Sequence, residues 1–273
     1  MLSQRVKAAL VFIPLILILI YFGGWAFNSF IGLVLLVAAV EFTQLLARTG
    51  YHPTLPLVLF GVLLFLLQRW FFPAQYLGIL FTLLLVILVL VALIQYESGT
   101  SDSGLTFAIN LAIIFYLGWV GSFFISLRNL PDGLGWTLTA LPAVWLADSG
   151  AYFIGRWLGK RKMSPRLSPG KTWAGLAGAL LTGAASGPLL ILLWRAIGFL
   201  PAGTPLWQGA VMGLILAVLT PMGDLFISLF KRTAGVKDTG NIIPGHGGFL
   251  DRIDTWIWAA MLGYYLVQIF QSI

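Results

Sequence analysis

The sequence of 273 residues contains no cysteine and few charged side chains. Without cysteine, the protein has no disulfide, thiolate metal site, iron–sulfur cluster or cysteine nucleophile. Charged residues make up 9% of the chain and hydrophobic residues 59%, and the mean hydropathy is +0.96. An ordinary soluble domain has roughly 25% charged residues. The composition therefore excludes a soluble globular enzyme and indicates a polytopic membrane protein.

Nine apolar stretches, separated by proline, glycine or charged residues, run along the chain. A membrane-spanning helix takes about 20 residues, so the pattern predicts an all-α, polytopic membrane protein with about nine transmembrane helices. We expect one integral membrane domain over residues 1–273, with N-terminal helices of scaffold character over 1–130 and a catalytic half over 135–273. The stretches cover roughly residues 9–22, 25–47, 55–72, 74–95, 105–127, 135–158, 172–198, 206–229 and 253–272.

The distribution of basic residues predicts which side of the membrane each loop faces. With the N-terminus in the cytoplasm, Arg69, Arg128 and Arg195 lie outside, and the other thirteen of the sixteen Lys and Arg residues lie inside. The positive-inside rule favours this arrangement, which places the C-terminus outside. The first stretch has the alternative interpretation of a secretory signal sequence, although no small-residue cleavage site precedes Trp25. The net charge of +7 suits anionic phosphate groups, and we do not expect nucleic acid as a partner.

The segment between the eighth and ninth stretches, residues 228–254, is too rich in polar chemistry for a simple connector. It combines basic residues, a glycine-rich turn around His246 and the sequence Asp251-Arg252-Ile253-Asp254. Cations neutralise phosphate, glycines present backbone N–H groups to an anion, and carboxylates are hard metal ligands. The segment therefore predicts a site for a polyphosphate with Mg²⁺. The sequence leaves open whether His246 is a base, a ligand or a residue that fixes the loop.

Asp224 lies inside the eighth apolar stretch, just after Pro221 and Gly223, where the helix can bend or break. An ionisable residue within an apolar stretch is costly and indicates function. Asp251 is its predicted partner in a metal site, because both residues lie next to the basic loop. Asp254 has two interpretations, a site residue or part of an acidic first turn that complements the start of the ninth helix.

A second polar group precedes the seventh stretch. Asp148, Tyr152 and Arg156 are spaced i, i+4 and i+8, which places them on one face of a helix. The segment from Arg156 to Lys171 contains six cations, including these two residues, and Ser168 lies in the same segment. The cations predict phosphate binding, and an anchor to anionic lipid is the alternative.

Residues 228–254 strongly resemble the signature of the phosphatidate cytidylyltransferase family, also called CDP-diacylglycerol synthase, and residues 148–172 and the nine-helix plan are similar as well. The resemblance implies attack of phosphatidate on the α-phosphorus of CTP, with release of pyrophosphate, and a Mg²⁺ site at Asp224 and Asp251. Two expected glutamates are replaced, by Ala174 and Ile227. The predicted catalytic residues are Asp224, Asp251, Lys231 and Arg232, and the predicted substrate- or nucleotide-binding residues are Asp148, Ser168, Lys171, Lys237, Asp238, His246 and Arg252.

Three functional classes remain open at the level of sequence. The first is a cytidylyltransferase of phospholipid biosynthesis, in the cell (inner) membrane with its site facing the cytoplasm. The second is a CTP-dependent lipid-alcohol kinase, and the third is an ion-coupled transporter, for which Pro221 marks one broken helix but no counterpart is evident. A second cation and a homodimer are left open.

Overall fold

The computed structural model describes residues 13–242 and 247–273, and most of these residues are helical. Arg5 and Lys7 at the N-terminus, and His246 in the glycine-rich turn, lie outside the described residues. The helices are α1 (Ile13–Phe22), α2 (Gly24–Ala47), α3 (Leu55–Phe71), α4 (Leu77–Glu97), α5 (Ser103–Ile113), α6 (Phe123–Arg128), α7 (Gly133–Leu158), α8 (Trp173–Ile197), α9 (Leu206–Leu219), α10 (Pro221–Thr233) and α11 (Leu250–Ser272). A 3₁₀ turn, Ala74–Tyr76, precedes α4, and a π-helix, Ile114–Val120, follows α5.

The apolar helices fit an all-α membrane protein. In the described part of the chain, five helical segments are long and apolar enough to cross a membrane, and α1 and α3 are shorter apolar helices. Each apolar stretch of the sequence corresponds to one helix or to a consecutive run of helices. The number of nine membrane crossings stays a prediction. The five segments are Gly24–Ala47, Ala74–Glu97, Ser103–Arg128, Trp173–Ile197 and Leu206–Thr233.

The predicted break at Pro221 is present. Helix α9 ends at Leu219, and α10 begins at Pro221, whose ring occupies the first helical position, where an N–H is not needed. The consequence for the site is that Asp224 lies in the first turn of a separate helix, at a helix N-terminus that favours negative charge.

Glycines allow α8 to pack closely between α7 and α9. A Cβ atom added at Gly183 would collide with the backbone of Gly213, and one added at Gly187 would collide with the backbone of Gly209. Small residues at helix contacts let the backbones approach within a membrane. This close packing fixes the position of the start of α8, which carries part of the polar site.

A short hairpin between α7 and α8 was not predicted. Strands β1 (Lys162–Ser164) and β2 (Ser168–Thr172) pair antiparallel, with Lys162 opposite Thr172. The Thr172 hydroxyl then accepts the backbone N–H of Gly175 at 3.0 Å and caps α8. The hairpin holds Ser168 and Lys171 in a fixed position relative to α8.

The polar site and Arg128, which the charge count predicts to lie outside, are found near different ends of α8. Arg128 donates to the backbone oxygens of Ile20 and Tyr21 at the end of α1, and the ring of Tyr21 lies 5.9 Å from that of Phe199 beyond the end of α8. The start of α8, by contrast, packs against the end of α7, where Gly155 and Gly175 are close neighbours. Arg128 therefore lies near the end of α8 that is opposite to the polar site, and the membrane orientation stays a prediction.

Candidate active site

A cavity of about 990 Å³ lies among α1, α2, α7, the hairpin, the start of α8, α10 and the start of α11. Part of its lining is apolar and comes mainly from α1 and α2, including Ile16, Phe27 and Val34. The rest is polar and carries charges of both signs. The ionisable lining residues are Asp148, Tyr152, Arg156, Lys162, Lys171, Asp224, Asp251, Arg252 and Asp254, and Ser168, Thr172 and Thr255 add hydroxyl groups.

The first ion pair of the site joins the hairpin to α10. Lys171 Nζ lies 2.7 Å from Asp224 Oδ2 and also donates to the backbone oxygen of Pro221 at 3.1 Å. The other carboxylate oxygen of Asp224 accepts a longer bond, 3.4 Å, from the Ser228 hydroxyl one turn along the helix. The side chains of Lys171 and Asp224 are 24% and 31% exposed, so this pair is open to the cavity.

The second ion pair joins the end of α10 to the start of α11. Lys231 Nζ lies 2.7 Å from Asp251 Oδ1, and the two side chains are only 10% and 5% exposed. Asp251 Oδ2 accepts the Thr239 N–H, the Thr239 hydroxyl and the Gly248 N–H, at 2.8, 3.0 and 3.2 Å. The bond from Gly248 joins the loop just before α11 to the first turn of that helix.

Two further aspartates, Asp148 and Asp254, line the same cavity as Asp224. Asp254 is buried in the second turn of α11, which begins at Leu250, so it does not cap that helix. On α7, the Arg156 guanidinium donates to the Tyr152 hydroxyl at 3.1 Å, which agrees with the predicted polar face.

Glu41 on α2 is a site-associated residue that the sequence analysis missed. Its side chain is 2% exposed and accepts the N–H groups of Phe249 and Leu250 at 3.0 and 2.9 Å. The region before residue 130 therefore contributes a carboxylate to the start of α11. Its position inside a predicted transmembrane helix was the available signal, because an ionisable residue there needs a partner.

Several residues that were predicted for the site lie outside the cavity lining. Of the described residues in the basic loop, Arg232, Lys237 and Asp238 are exposed and lie outside the cavity lining. The Arg232 guanidinium donates to the backbone oxygens of Leu167 and Val236 at 3.2 and 3.4 Å, so it ties the loop to the hairpin. Ile227, in place of an expected glutamate, is fully buried in the core, and Ala174 lies in the first turn of α8.

Asp224 and Asp251, the predicted ligands of Mg²⁺, both line the cavity. In residues 13–242 and 247–273, no group of three or more His, Asp or Glu side chains is arranged to hold a metal alone. Mg²⁺ usually takes only one or two protein carboxylates and fills its octahedron with water and phosphate oxygens. Asp224 is partly exposed and has one weakly engaged oxygen, whereas Asp251 already accepts four bonds and would have to exchange one.

Comparison with known proteins agrees with this chemistry. Residues 3–270 match the Cytidylyltransferase family. The phosphatidate cytidylyltransferase of Synechocystis sp. is 32% identical over 299 residues, covering 97% of this chain and 96% of that protein. That of Bacillus subtilis is 34% identical over 268 residues, covering 97% and 96%. That of Brucella suis biovar 1 is 34% identical over 275 residues, covering 98% and 94%.

These matches confirm the resemblance that residues 228–254 indicate, and they extend it to the N-terminal half of the chain. Because they cover nearly all of this protein and of its relatives, the chain belongs to the cytidylyltransferase family.

Proposed function

We propose that the protein transfers the cytidylyl group of CTP to phosphatidate, which yields CDP-diacylglycerol and pyrophosphate. The observation that carries this proposal is the cavity, in which a polar surface with charges of both signs continues into an apolar surface from α1 and α2. A diacyl lipid with a phosphate headgroup needs both surfaces. The phosphatidate cytidylyltransferases of three bacteria, similar over nearly their whole length, support the same reaction.

The reaction joins two anions, which together carry about six negative charges, so neutralisation and alignment matter more than a general base. A phosphate oxygen of phosphatidate forms a bond to the α-phosphorus of CTP. The bond from that phosphorus to the oxygen bridging to the β-phosphate breaks, and pyrophosphate leaves with the electron pair. Lys171, on the cavity wall, is the cation best placed to hold a phosphate. Arg156 and Arg252 add positive charge to the same lining.

Mg²⁺ is the expected cofactor, held by Asp224 and Asp251, with Asp254 as a further carboxylate in the same cavity lining. A bound Mg²⁺ ion stabilises negative charge on phosphate oxygens as a Lewis acid. Two aspartates suffice for such an ion. The replacement of two expected glutamates by Ala174 and Ile227 therefore leaves the proposed ligands in place. The test is a titration of activity with Mg²⁺ after treatment with a chelator; activity that survives chelation would contradict this cofactor.

The proposed topology has nine crossings, a cytoplasmic N-terminus and an external C-terminus, in the inner membrane of a bacterium. It is supported by the segregation of Arg69, Arg128 and Arg195 from the other cations. CTP then reaches the polar site from the cytoplasm, while the acyl chains stay in the bilayer. A reporter fused after Ile273 that is active only in the cytoplasm should give no signal; a strong signal would refute the orientation.

The experiment that tests the reaction uses purified protein, phosphatidate, Mg²⁺ and CTP labelled at either the α- or the γ-phosphorus. We expect the α-label in the lipid product and the γ-label in pyrophosphate. A CTP-dependent lipid kinase would instead place the γ-label in the lipid. The names of the relatives do not favour this kinase alternative. A transporter would place neither label in lipid. Absence of the α-label from lipid would overturn the proposal.

A further inference from the structure

We infer that Glu41 is a positioning residue, which fixes the start of α11 and thereby sets the orientation of the Asp251 carboxylate. The catalytic part of this inference rests on the proposed function, whereas the structural part does not. Glu41 lies on α2 and contacts the start of α11. Along the chain it is 208 residues from Phe249 and 209 residues from Leu250.

The start of α11 has backbone N–H groups that need acceptors from outside the helix. The first N–H groups of a helix have no partner within the helix, and buried ones need an acceptor. Gly248 N–H is accepted by Asp251 at 3.2 Å, and Phe249 and Leu250 N–H are accepted by the two oxygens of Glu41. Glu41 therefore satisfies two donors that α11 itself leaves without a partner.

Thr239 links Glu41 to Asp251. The Thr239 hydroxyl lies 3.4 Å from Glu41 Oε2 and 3.0 Å from Asp251 Oδ2. Thr239 is 3% exposed, so this connection is shielded from water. Asp251 also accepts the Thr239 N–H at 2.8 Å. Thr239 therefore supplies two of the four hydrogen bonds that Asp251 accepts.

The loop before α11 fits tightly around the Glu41 carboxylate. A Cβ atom added at Gly240 would lie 2.6 Å from Glu41 Oε1, and one added at Gly248 would lie 2.5 Å from Glu41 Oε2. The loop backbone therefore passes directly over this side chain on both sides. Glu41 itself does not line the described part of the cavity, so its effect on the reaction passes through Asp251 and not through contact with substrate.

Glu41→Gln is the direct test, because it keeps the shape and replaces one acceptor oxygen with an NH₂ group that opposes a backbone N–H. We expect amide hydrogen exchange at Phe249 and Leu250 to become about tenfold faster or more. We expect kcat for cytidylyl transfer to fall about 10- to 100-fold, as for supporting residues around a metal site. The KM for CTP should change less than about threefold, because Glu41 does not contact the nucleotide.

Glu97→Gln is the matched control, since it makes the same change at an exposed glutamate at the end of α4. It should match the wild type in exchange and in kcat. Thr239→Val gives a second test that leaves Glu41 in place. We expect it to lower kcat as Glu41→Gln does, whereas Thr239→Ser, which keeps the hydroxyl, should lose less activity.

The outcomes separate this inference from the proposed function. Unchanged exchange at Phe249 and Leu250 in Glu41→Gln overturns the inference, whether or not transfer activity is found. Wild-type kcat per folded molecule in both Glu41→Gln and Thr239→Val overturns it as well, while the proposed reaction stands. If Glu41→Gln speeds exchange at Phe249 and Leu250 but the wild type transfers no cytidylyl group, the structural part of the inference stands and the proposed function fails.

Discussion

The two lysine–aspartate pairs of the site share one distance and differ in their surroundings. Lys171 with Asp224 and Lys231 with Asp251 are both separated by 2.7 Å. The first pair is about a quarter to a third exposed and faces the cavity; the second is nearly buried, and its carboxylate accepts three further hydrogen bonds. An exposed pair adds little to stability, whereas breaking a buried pair leaves a charge without compensation. We therefore propose that the open pair serves the reaction, whereas the buried pair also holds α10 and α11 together.

The largest expected effect comes from breaking the buried pair. Lys231→Met should lower the free energy of unfolding by about 3–5 kcal/mol, because Asp251 is left charged and buried, and it should abolish most activity. Unfolding in detergent can be followed by tryptophan fluorescence. Lys160→Met, at an exposed lysine, is the control. Equal stability of the two variants would contradict the structural role of the pair.

A substitution in the open pair should lower activity strongly and change stability little. Asp224→Asn keeps the shape and removes the charge, so turnover should fall about 100-fold or more, while the free energy of unfolding changes by no more than about 1 kcal/mol. The double variant with Asp251→Asn should be little less active than either single variant. Asp132→Asn is the control, since asparagine also tolerates the left-handed backbone found there. Substantial turnover by Asp224→Asn at low Mg²⁺ would exclude a metal site at this residue.

Substitutions of Lys171 test whether this cation binds the phosphates of CTP. Removal of a charge-assisted bond to phosphate costs about 10- to 100-fold in binding, so Lys171→Ala should raise the KM for CTP by that factor. Lys171→Arg keeps the charge and should raise it less. Steady-state kinetics against CTP concentration provide the measurement. A KM unchanged in Lys171→Ala would assign phosphate binding to other residues of the lining.

The smallest effect is expected at Lys237, which is exposed and outside the cavity lining. Lys237→Ala should raise the KM for CTP by less than about threefold, and the difference should vanish at high salt, because exposed charges are screened beyond about 10 Å at 0.1 M ionic strength. Measurement at two ionic strengths is sufficient. A large effect that persists in high salt would show that Lys237 binds substrate directly.

The sequence predicted the helices well, because their long apolar stretches end at glycine, proline or charge. It also predicted the break at Pro221, since proline begins a helix more readily than it continues one. The hairpin at residues 162–172 was not predicted, because its two strands are too short to show a periodic pattern.

The pairing within the site was less accessible to sequence analysis. Asp224, Asp251, Lys171 and Asp148 were identified by their positions in or next to apolar stretches, and the structure places all four on one cavity. Which lysine pairs with which aspartate depends on where the loop returns to α11, and spacing does not reveal it. Glu41 was overlooked because its partners are backbone N–H groups, which no side-chain motif records.

The most direct test of the distinction between the two pairs is the unfolding temperature of Asp251→Asn compared with that of Asp224→Asn, in the same detergent. Both variants should lose most of their activity, so activity does not separate them. We predict that Asp251→Asn unfolds roughly 6 °C or more below the wild type, because Lys231 loses its buried partner, while Asp224→Asn stays within about 3 °C. Equal shifts, or a larger shift for Asp224→Asn, would contradict it.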